Sequence, residues 1–212
     1  MVVSGAEMKQ AVTRKLFSYW NNLRAERTAP ERADIDPAAI RALLRDTFIL
    51  EVDPDRMLPV RVAGARIASL FMRELKGEPF SGLYRAEDRD WLGGIVESVL
   101  DEPTPAVAGV SAAPTGREPL EMELLLLPLR HGGKTHSRIL GSLVPATFPS
   151  WMGLIPSQPL RLTSLRIIRH EILREMAIEP APTPQVAVLP TPSIQDNGRP
   201  FTLRVVEGGR SA

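Results

Sequence analysis

The sequence predicts an α+β fold, in which an antiparallel sheet carries helices on one face. Residues 46–62 have the β-forming and alternating side chains of two strands, and residues 65–100 then change to helical spacing. Residues 105–147 return to strand-like sequence around a Gly132-Gly133 turn. Two strands, then helices, then consecutive strands is the order expected of an antiparallel sheet with its helices grouped together.

Composition limits the possible functions. The chain has 212 residues, 43% of them hydrophobic, which is enough for one domain with a core. A net charge of +1 argues against a general electrostatic grip on nucleic acid. The chain has no cysteine, which excludes disulfides, thiolate nucleophiles, cysteine metal ligands and cysteinyl–flavin adducts. Since the sequence has neither a signal-like N-terminus nor an apolar run that could span a bilayer, we expect a cytoplasmic protein.

Residues 1–30 are predicted to hold an N-terminal amphipathic helix, from Met8 to Arg27. The apolar face of this helix consists of Leu16, Tyr19, Trp20 and Leu23. We predict that this face forms a homodimer interface, and the alternative is that it packs on the sheet of its own chain.

A short helix is predicted to begin at Asp36-Pro37, because aspartate is a favoured N-cap and proline fits the first helical position. Its buried side would be formed by Ile40, Leu43 and Leu44.

The first two strands and a helix follow. The first strand spans Asp46–Val52, residues 53–55 form a turn, and the second strand begins at Leu58 and ends at Gly64. Helical spacing then places four apolar residues on one face: Ile67, Leu70, Phe71 and Leu75.

The longest predicted helix of the central region spans Glu87–Leu100. Four of its side chains are expected to point inward: Trp91, Leu92, Ile95 and Val99. Gly93-Gly94 lies within it, and we attribute this pair to close packing against the sheet.

Three strands are predicted next, at Pro105–Ala113, Pro119–Leu129 and His136–Thr147. In the second of them, Glu121 and Glu123 alternate outward before the sequence becomes wholly apolar. The apolar half is therefore expected to be covered on both faces.

The C-terminal part divides into a basic extension and a tail. Residues 161–178 are predicted to be helical after a short strand, with an apolar stripe of Leu165, Ile168, Ile172 and Met176. Arginines surround this stripe, so it could meet a membrane surface or an acidic partner, or simply pack on the domain. Residues 179–212 are rich in proline and are predicted to be a flexible tail.

Several motifs resemble those of the PAS domain-containing proteins of the alphaproteobacterial PAS-like family. They are residues 33–37, 46–53, 61–66 and 70–77, and the similarity covers about residues 10–170. The resemblance implies a PAS-like five-stranded antiparallel sheet with helices on one face, in residues 31–160. It also implies a sensory or signalling module that acts through protein–protein contacts, and it contributes no catalytic residue.

The candidates for chemistry are few. No metal site is predicted at His131, His136 or His170, because carboxylates and cysteines at ligand spacing are lacking. Arg41 and Arg45 are interpreted as the solvated side of a short helix, with a cyclic dinucleotide site as the alternative. We therefore predict no enzyme and leave the cofactor open. The alternative functions are a ligand-independent transcription-associated or nucleic-acid regulator and, less favoured, an enzyme.

In a PAS-like fold, a pocket would lie between the inner sheet face and the helices after the second strand. Its predicted lining is Ile49, Val62, Ile67, Leu70, Phe71, Leu75, Phe80, Leu83, Trp91, Ile95, Leu124 and Leu126. Because this lining is apolar, a ligand would be a small, chiefly hydrophobic molecule. The alternative is that the same side chains interlock as an ordinary core.

Overall fold

A computed structural model of the protein describes residues 8–53, 57–132 and 134–168. These residues form a six-stranded sheet in the order β2-β1-β5-β4-β3-β6, and all neighbouring strands are antiparallel. The strands are β1 Thr47–Glu51, β2 Val60–Ala63, β3 Ala106–Ala112, β4 Leu120–His131, β5 Lys134–Pro145 and β6 Arg161–Ile167. The predicted α+β architecture is confirmed, with six strands instead of five.

Three α-helices accompany the sheet: α1 Ala11–Arg24, α2 Ala65–Phe71 and α3 Arg89–Asp101. Short 3-10 turns occur at Arg32–Asp34, Leu44–Asp46, Phe80–Leu83 and Ala86–Asp88. The helix predicted to begin at Asp36-Pro37 is instead a series of turns, in which Asp36 Oδ1 accepts the N–H of Ala38 at 2.8 Å. Ile40 and Leu43 are buried there as expected, whereas Leu44 is exposed.

The sheet has a core on each face, and β4 contributes to both. Leu124 and Leu126 face an inner cluster that contains residues of α2 and α3, and Leu125 and Leu127 face an outer cluster under α1. All four are fully buried, which confirms that the apolar half of this strand is covered on both sides. Helices α2 and α3 therefore lie on one face of the sheet, as predicted, and the separate N-terminal helix α1 covers the other face.

Helix α1 covers the outer face of its own sheet. Leu16 and Trp20 are completely buried, and Tyr19 and Leu23 pack against the same cluster. The indole N–H of Trp20 donates to the carbonyl oxygen of Pro128 on β4 at 2.9 Å. Leu16 and Trp20 are therefore not available to a second copy, because this part of the apolar stripe packs within the chain.

The start of α1 is held by Glu123, which was predicted to point outward. Its Oε2 accepts the backbone N–H of Lys9 at 2.7 Å, and its Oε1 accepts that of Gln10 at 2.9 Å. Glu123 is only 5% exposed. Glu123 does lie on the sheet face opposite Leu124, as the alternation predicts. That face is covered by α1 at this point, so the side chain is not exposed to solvent.

Strand β6 extends the sheet beyond β3, where a helix was predicted. It begins at Arg161 and pairs with β3, and the register of this pairing shifts between Gly109 and Val110. The N–H of Gly109 donates to Ser164 Oγ at 3.1 Å, and a side chain at Gly109 would collide with the hydroxyls of Thr163 and Ser164. Leu165 therefore lies on a strand, and the buried Ile168 follows directly after it. Residues 169–178 of the predicted helix lie outside the described residues, as does the tail at 179–212.

The Gly93-Gly94 pair of α3 is exposed, and a β-carbon added at either position would meet nothing within 4 Å. Our explanation of the pair by close packing against the sheet is wrong. The structure gives no steric reason for glycine at these two positions.

Candidate functional site

Nine of the twelve side chains predicted to line a pocket lie together in the inner cluster. They come from α2, α3, β4 and the segment between α2 and α3: Ile67, Leu70, Phe71, Leu75, Phe80, Leu83, Ile95, Leu124 and Leu126. None of the nine is more than 7% exposed. These side chains therefore belong to a buried core between the sheet and the helices.

The other three predicted lining residues lie elsewhere. Ile49 packs on the outer cluster, because its neighbours along β1 point inward. Val62 is 57% exposed: Ile49 pairs with Val62 and Leu50 with Val60, so Arg61 is an extra residue that breaks the alternation. Trp91 is 72% exposed, since it lies about 100° around α3 from Leu92, at the edge of the buried face.

Aromatic rings close the inner cluster on the side of β1. Phe48 and Phe80 stack with their ring centres 5.1 Å apart, and Tyr84 meets Phe80 edge-to-face at 5.5 Å. Such pairs contribute about 0.5–1.5 kcal/mol beyond the area that they bury. This part of the cluster is therefore closely fitted.

The hydroxyl of Tyr84 is the exception in this apolar environment. Tyr84 is fully buried, and its Oη has no hydrogen-bond partner among the described residues. Burial raises the pKa of Tyr84 strongly, and the nearby charge of Asp88 adds to the effect, so the phenol stays protonated. A buried donor without an acceptor costs about 1–3 kcal/mol. Sequence analysis missed Tyr84, because the irregular segment around it has no periodicity.

A second feature lies on the surface beside α2. Five large apolar side chains there are between 38% and 73% exposed, and we call them the α2 strip: Leu44, Met72, Phe148, Leu154 and Ile155. Three of them belong to the segment at 146–158, between β5 and β6. Contiguous exposed apolar surface of this kind marks interaction sites in many proteins.

Leu44 and Phe148 each have a contact near the start of α2. A β-carbon on Gly64 would lie 2.2 Å from the carbonyl oxygen of Leu44, so only glycine allows this close approach. Arg66 donates to both carboxylate oxygens of the buried Asp46, at 2.6 Å for Oδ2. The guanidinium of Arg66 also stacks on the ring of Phe148, 4.4 Å from its centre.

The other end of α2 holds the remainder of the strip. The N–H of Ser157 donates to the carbonyl oxygen of Leu70 at 2.9 Å, and Gly153 lies against the Cβ of Ser69. Leu154 and Ile155 therefore pass close to the end of α2, where Met72 is the C-cap. Members of the strip therefore lie near both ends of α2.

Comparison with known proteins identifies the family. A family model described as PAS domain matches residues 8–144, which is more than half of the chain. The chain belongs to the PAS domain family. PAS domains are in general sensory and not catalytic, and this chain is a sensory signalling module.

No curated protein matches this PAS domain sequence. Among solved structures, the LOV protein of Rhodobacter sphaeroides is 15% identical with a TM-score of 0.41, covering 55% of this chain and 71% of that one. A PAS domain from Colwellia psychrerythraea is also 15% identical, with a TM-score of 0.41 and coverage of 53% and 98%. An RNA-binding light-oxygen-voltage receptor is 14% identical with a TM-score of 0.42, covering 52% of this chain and 33% of that one. These similarities are too low to bear on function.

Of the three histidines of this PAS domain, the structure describes the side chain of only one. His131 is exposed at the end of β4, whereas the side chain of His136 and all of His170 lie outside what the structure describes. Over residues 8–53, 57–132 and 134–168, no three His, Cys, Asp or Glu side chains are placed to hold a metal ion. In the same ranges, every helix is too short or too polar to cross a membrane.

Proposed function

We propose that this PAS domain transmits its state through contacts with another protein, and that the α2 strip makes those contacts. The observation that carries the proposal is the position of the five exposed apolar side chains. They lie near the two ends of the short helix α2, whose inner side chains Ile67, Leu70 and Phe71 belong to the inner cluster. A change inside the cluster would therefore alter the surface directly above it.

The outer sheet face is a poorer candidate for these contacts. It is already covered by α1, which is fastened to β4 by the hydrogen bonds of Trp20 and Glu123. A partner could reach the sheet only by displacing α1, and the burial of Leu16 and Trp20 would be lost. Replacing one such side chain by alanine alone typically costs several kcal/mol.

Site-specific photocrosslinking in the host cell tests the proposal. The photoreactive residue p-benzoylphenylalanine is placed at Leu154, and at Trp91 as the matched control, because both side chains are about equally exposed. We expect a discrete protein adduct from position 154 that is absent from position 91 and is lost when Phe148→Ser is added. Identical adducts from both positions, or none from position 154, would refute the proposal.

A second candidate function is supported by the buried hydroxyl of Tyr84. We infer that a small, mostly apolar ligand with one hydrogen-bond acceptor could enter the inner cluster and accept from Tyr84 Oη, if side chains of the cluster move aside. Such a ligand would recover the hydrogen bond that the phenol lacks.

Native mass spectrometry and an absorption spectrum of protein purified from its own host test for this ligand. If the ligand exists, a bound mass is retained by the wild-type protein, and Tyr84→Phe lowers its occupancy. A protein at its bare chain mass, with no thermal shift across a metabolite and lipid panel, would exclude the ligand.

A further inference from the structure

We propose that the partner of the α2 strip is an acidic amphipathic segment of another protein. Its apolar side chains would cover the strip, and its carboxylates would pair with Arg41 and Arg45. This inference rests on the function proposed above and assigns the chemistry of the partner.

The dimensions of the strip suit one face of a helix or a short extended segment. Helix α2 has seven residues, so the strip that follows it is about 10 Å long. That length corresponds to two turns of a partner helix, which presents apolar side chains at positions i, i+3, i+4 and i+7. A partner of this kind needs no deep groove, because the strip side chains themselves project from the surface.

The charges around the strip are one-sided. The three segments that build it, residues 41–46, 64–72 and 146–158, contain three arginines and a single carboxylate. That carboxylate, Asp46, is buried and already paired with Arg66. Arg41 and Arg45 are exposed on either side of Leu44, and neither has an ion-pair partner in the part of the chain that the structure describes. Arg41 and Arg45 therefore place uncompensated positive charge beside Leu44, which favours carboxylates in the partner there, while the exposed Glu74 lies two residues beyond Met72.

The chain itself holds one segment of similar composition. Residues 169–212 contain five acidic residues and five Lys or Arg residues, but residues 171–179 alone contain three glutamates and one arginine. Occupation of the strip by this segment would block the binding of peptides to the full-length chain and would overturn the assignment. A second copy would present the same three segments, in which no free carboxylate is available. Another protein with an acidic apolar segment satisfies both the shape and the charge.

Selection from a random peptide display library tests the assignment even though the partner protein is unidentified. The full-length chain serves as bait, and peptides that also bind the Phe148→Ser/Leu154→Ser variant are removed. Both positions are exposed, and circular dichroism of the variant checks that it folds. We expect the retained peptides to combine apolar residues at helical spacing with several Asp or Glu residues.

Charge reversal then tests the two arginines. Arg41→Glu/Arg45→Glu should weaken the binding of a retained peptide about tenfold or more, and added salt should weaken it for the wild type. The matched control is Arg117→Glu/Arg161→Glu, which makes the same change of charge at two exposed positions outside the three segments. This control should change the affinity by less than about threefold.

Retained peptides that are neutral or basic, or acidic peptides that ignore the reversal of Arg41 and Arg45, would overturn the assignment while leaving the proposed protein contact intact. Failure to retain any strip-dependent peptide would also overturn it, and the photocrosslinking result would then decide the proposed function separately. Two further outcomes would replace the partner. One is binding to phosphatidylglycerol vesicles that Leu154→Ser abolishes, and the other is a dimer in sedimentation that the same change dissociates.

Discussion

Glu123→Gln is the substitution that best tests how α1 is attached to the sheet. Glu123 accepts two backbone N–H groups immediately before α1, from a position that is almost completely buried. Glutamine has the same shape, but one acceptor oxygen becomes an amide donor that faces an N–H group, and the negative charge near the helix N-terminus is lost.

The magnitude follows from these contacts. A hydrogen bond to a charged group contributes about 1.5–3 kcal/mol, and a carboxylate near a helix N-terminus contributes about 0.3–1 kcal/mol. We therefore expect Glu123→Gln to lower the free energy of unfolding by about 2–3 kcal/mol. For a domain of this size, that corresponds to a fall in Tm of roughly 4–12 °C.

Urea denaturation followed by tryptophan fluorescence measures this loss, since the indole of Trp20 is buried under α1. The control is Glu121→Gln, the same change two residues earlier on β4, where the side chain is exposed and no ion pair or hydrogen bond to it is found in the described part of the chain. The control should change stability by less than about 0.5 kcal/mol. If the two variants differ by less than about 0.5 kcal/mol, the attachment of α1 through Glu123 is refuted.

Three further predictions concern single positions. Tyr84→Phe should leave stability unchanged or raise it by about 1 kcal/mol, because it removes a hydroxyl that has no partner among the described residues. Because the pKa of Tyr84 is raised in the folded protein, the stability of the wild type should be complete below the unfolded tyrosine pKa and should fall as pH rises above about 10. Alkaline unfolding measures this fall in stability, and it should be smaller in the variant. Gly64→Ala should destabilise by more than about 2 kcal/mol through its collision with the Leu44 carbonyl, whereas Gly93→Ala in open space should stabilise by about 0.5–1 kcal/mol. Thermal melts measure both, and equal effects would contradict the close approach at Gly64. Trp91→Ala should cost less than about 0.5 kcal/mol and Ile95→Ala about 2–5 kcal/mol by urea denaturation, and the reverse order would show that Trp91 is the core residue.

Much of the fold could be predicted from local pattern. The change from strand to helix at Gly64 is correct to within a residue, since the alternation of β2 and the apolar spacing of α2 are both strong signals. The hairpin between β4 and β5 is also where its glycines predict it. These elements have one apolar side and one polar side, and their periodicity survives in the sequence.

Features that depend on contacts distant in sequence could not be predicted in this way. The side chain of Val62 is exposed because β2 has a bulge against β1, and the alternation within β2 alone cannot reveal this bulge. The burial of Glu123 depends on α1, more than a hundred residues away. The apolar stripe of α1 predicted that something covers it, but the pattern did not distinguish a second copy from the sheet of the same chain, and the structure packs it on the sheet.

The α2 strip had no sequence signal, because its members come from three separate segments and only the fold assembles them. Phe148 and Leu154 lie in a proline-rich segment that has no periodicity, and Leu44 looked like a core residue. A surface of this type is recognised only when the exposed positions are seen next to one another.

Helix α2 is the element through which the inner cluster and the surface are most directly connected. Ile67, Leu70 and Phe71 face the cluster, and the next residue, Met72, ends the helix and belongs to the strip. Met72 has a left-handed backbone conformation, with φ 53° and ψ 36°, which costs a residue other than glycine about 1–2 kcal/mol. The end of α2 is therefore already held in an unfavourable conformation, so less free energy is needed to rearrange it than to release α1, whose buried tryptophan and carboxylate would both lose their partners. For this reason, a change in the inner cluster is expected to emerge at the strip and not at the α1-covered face.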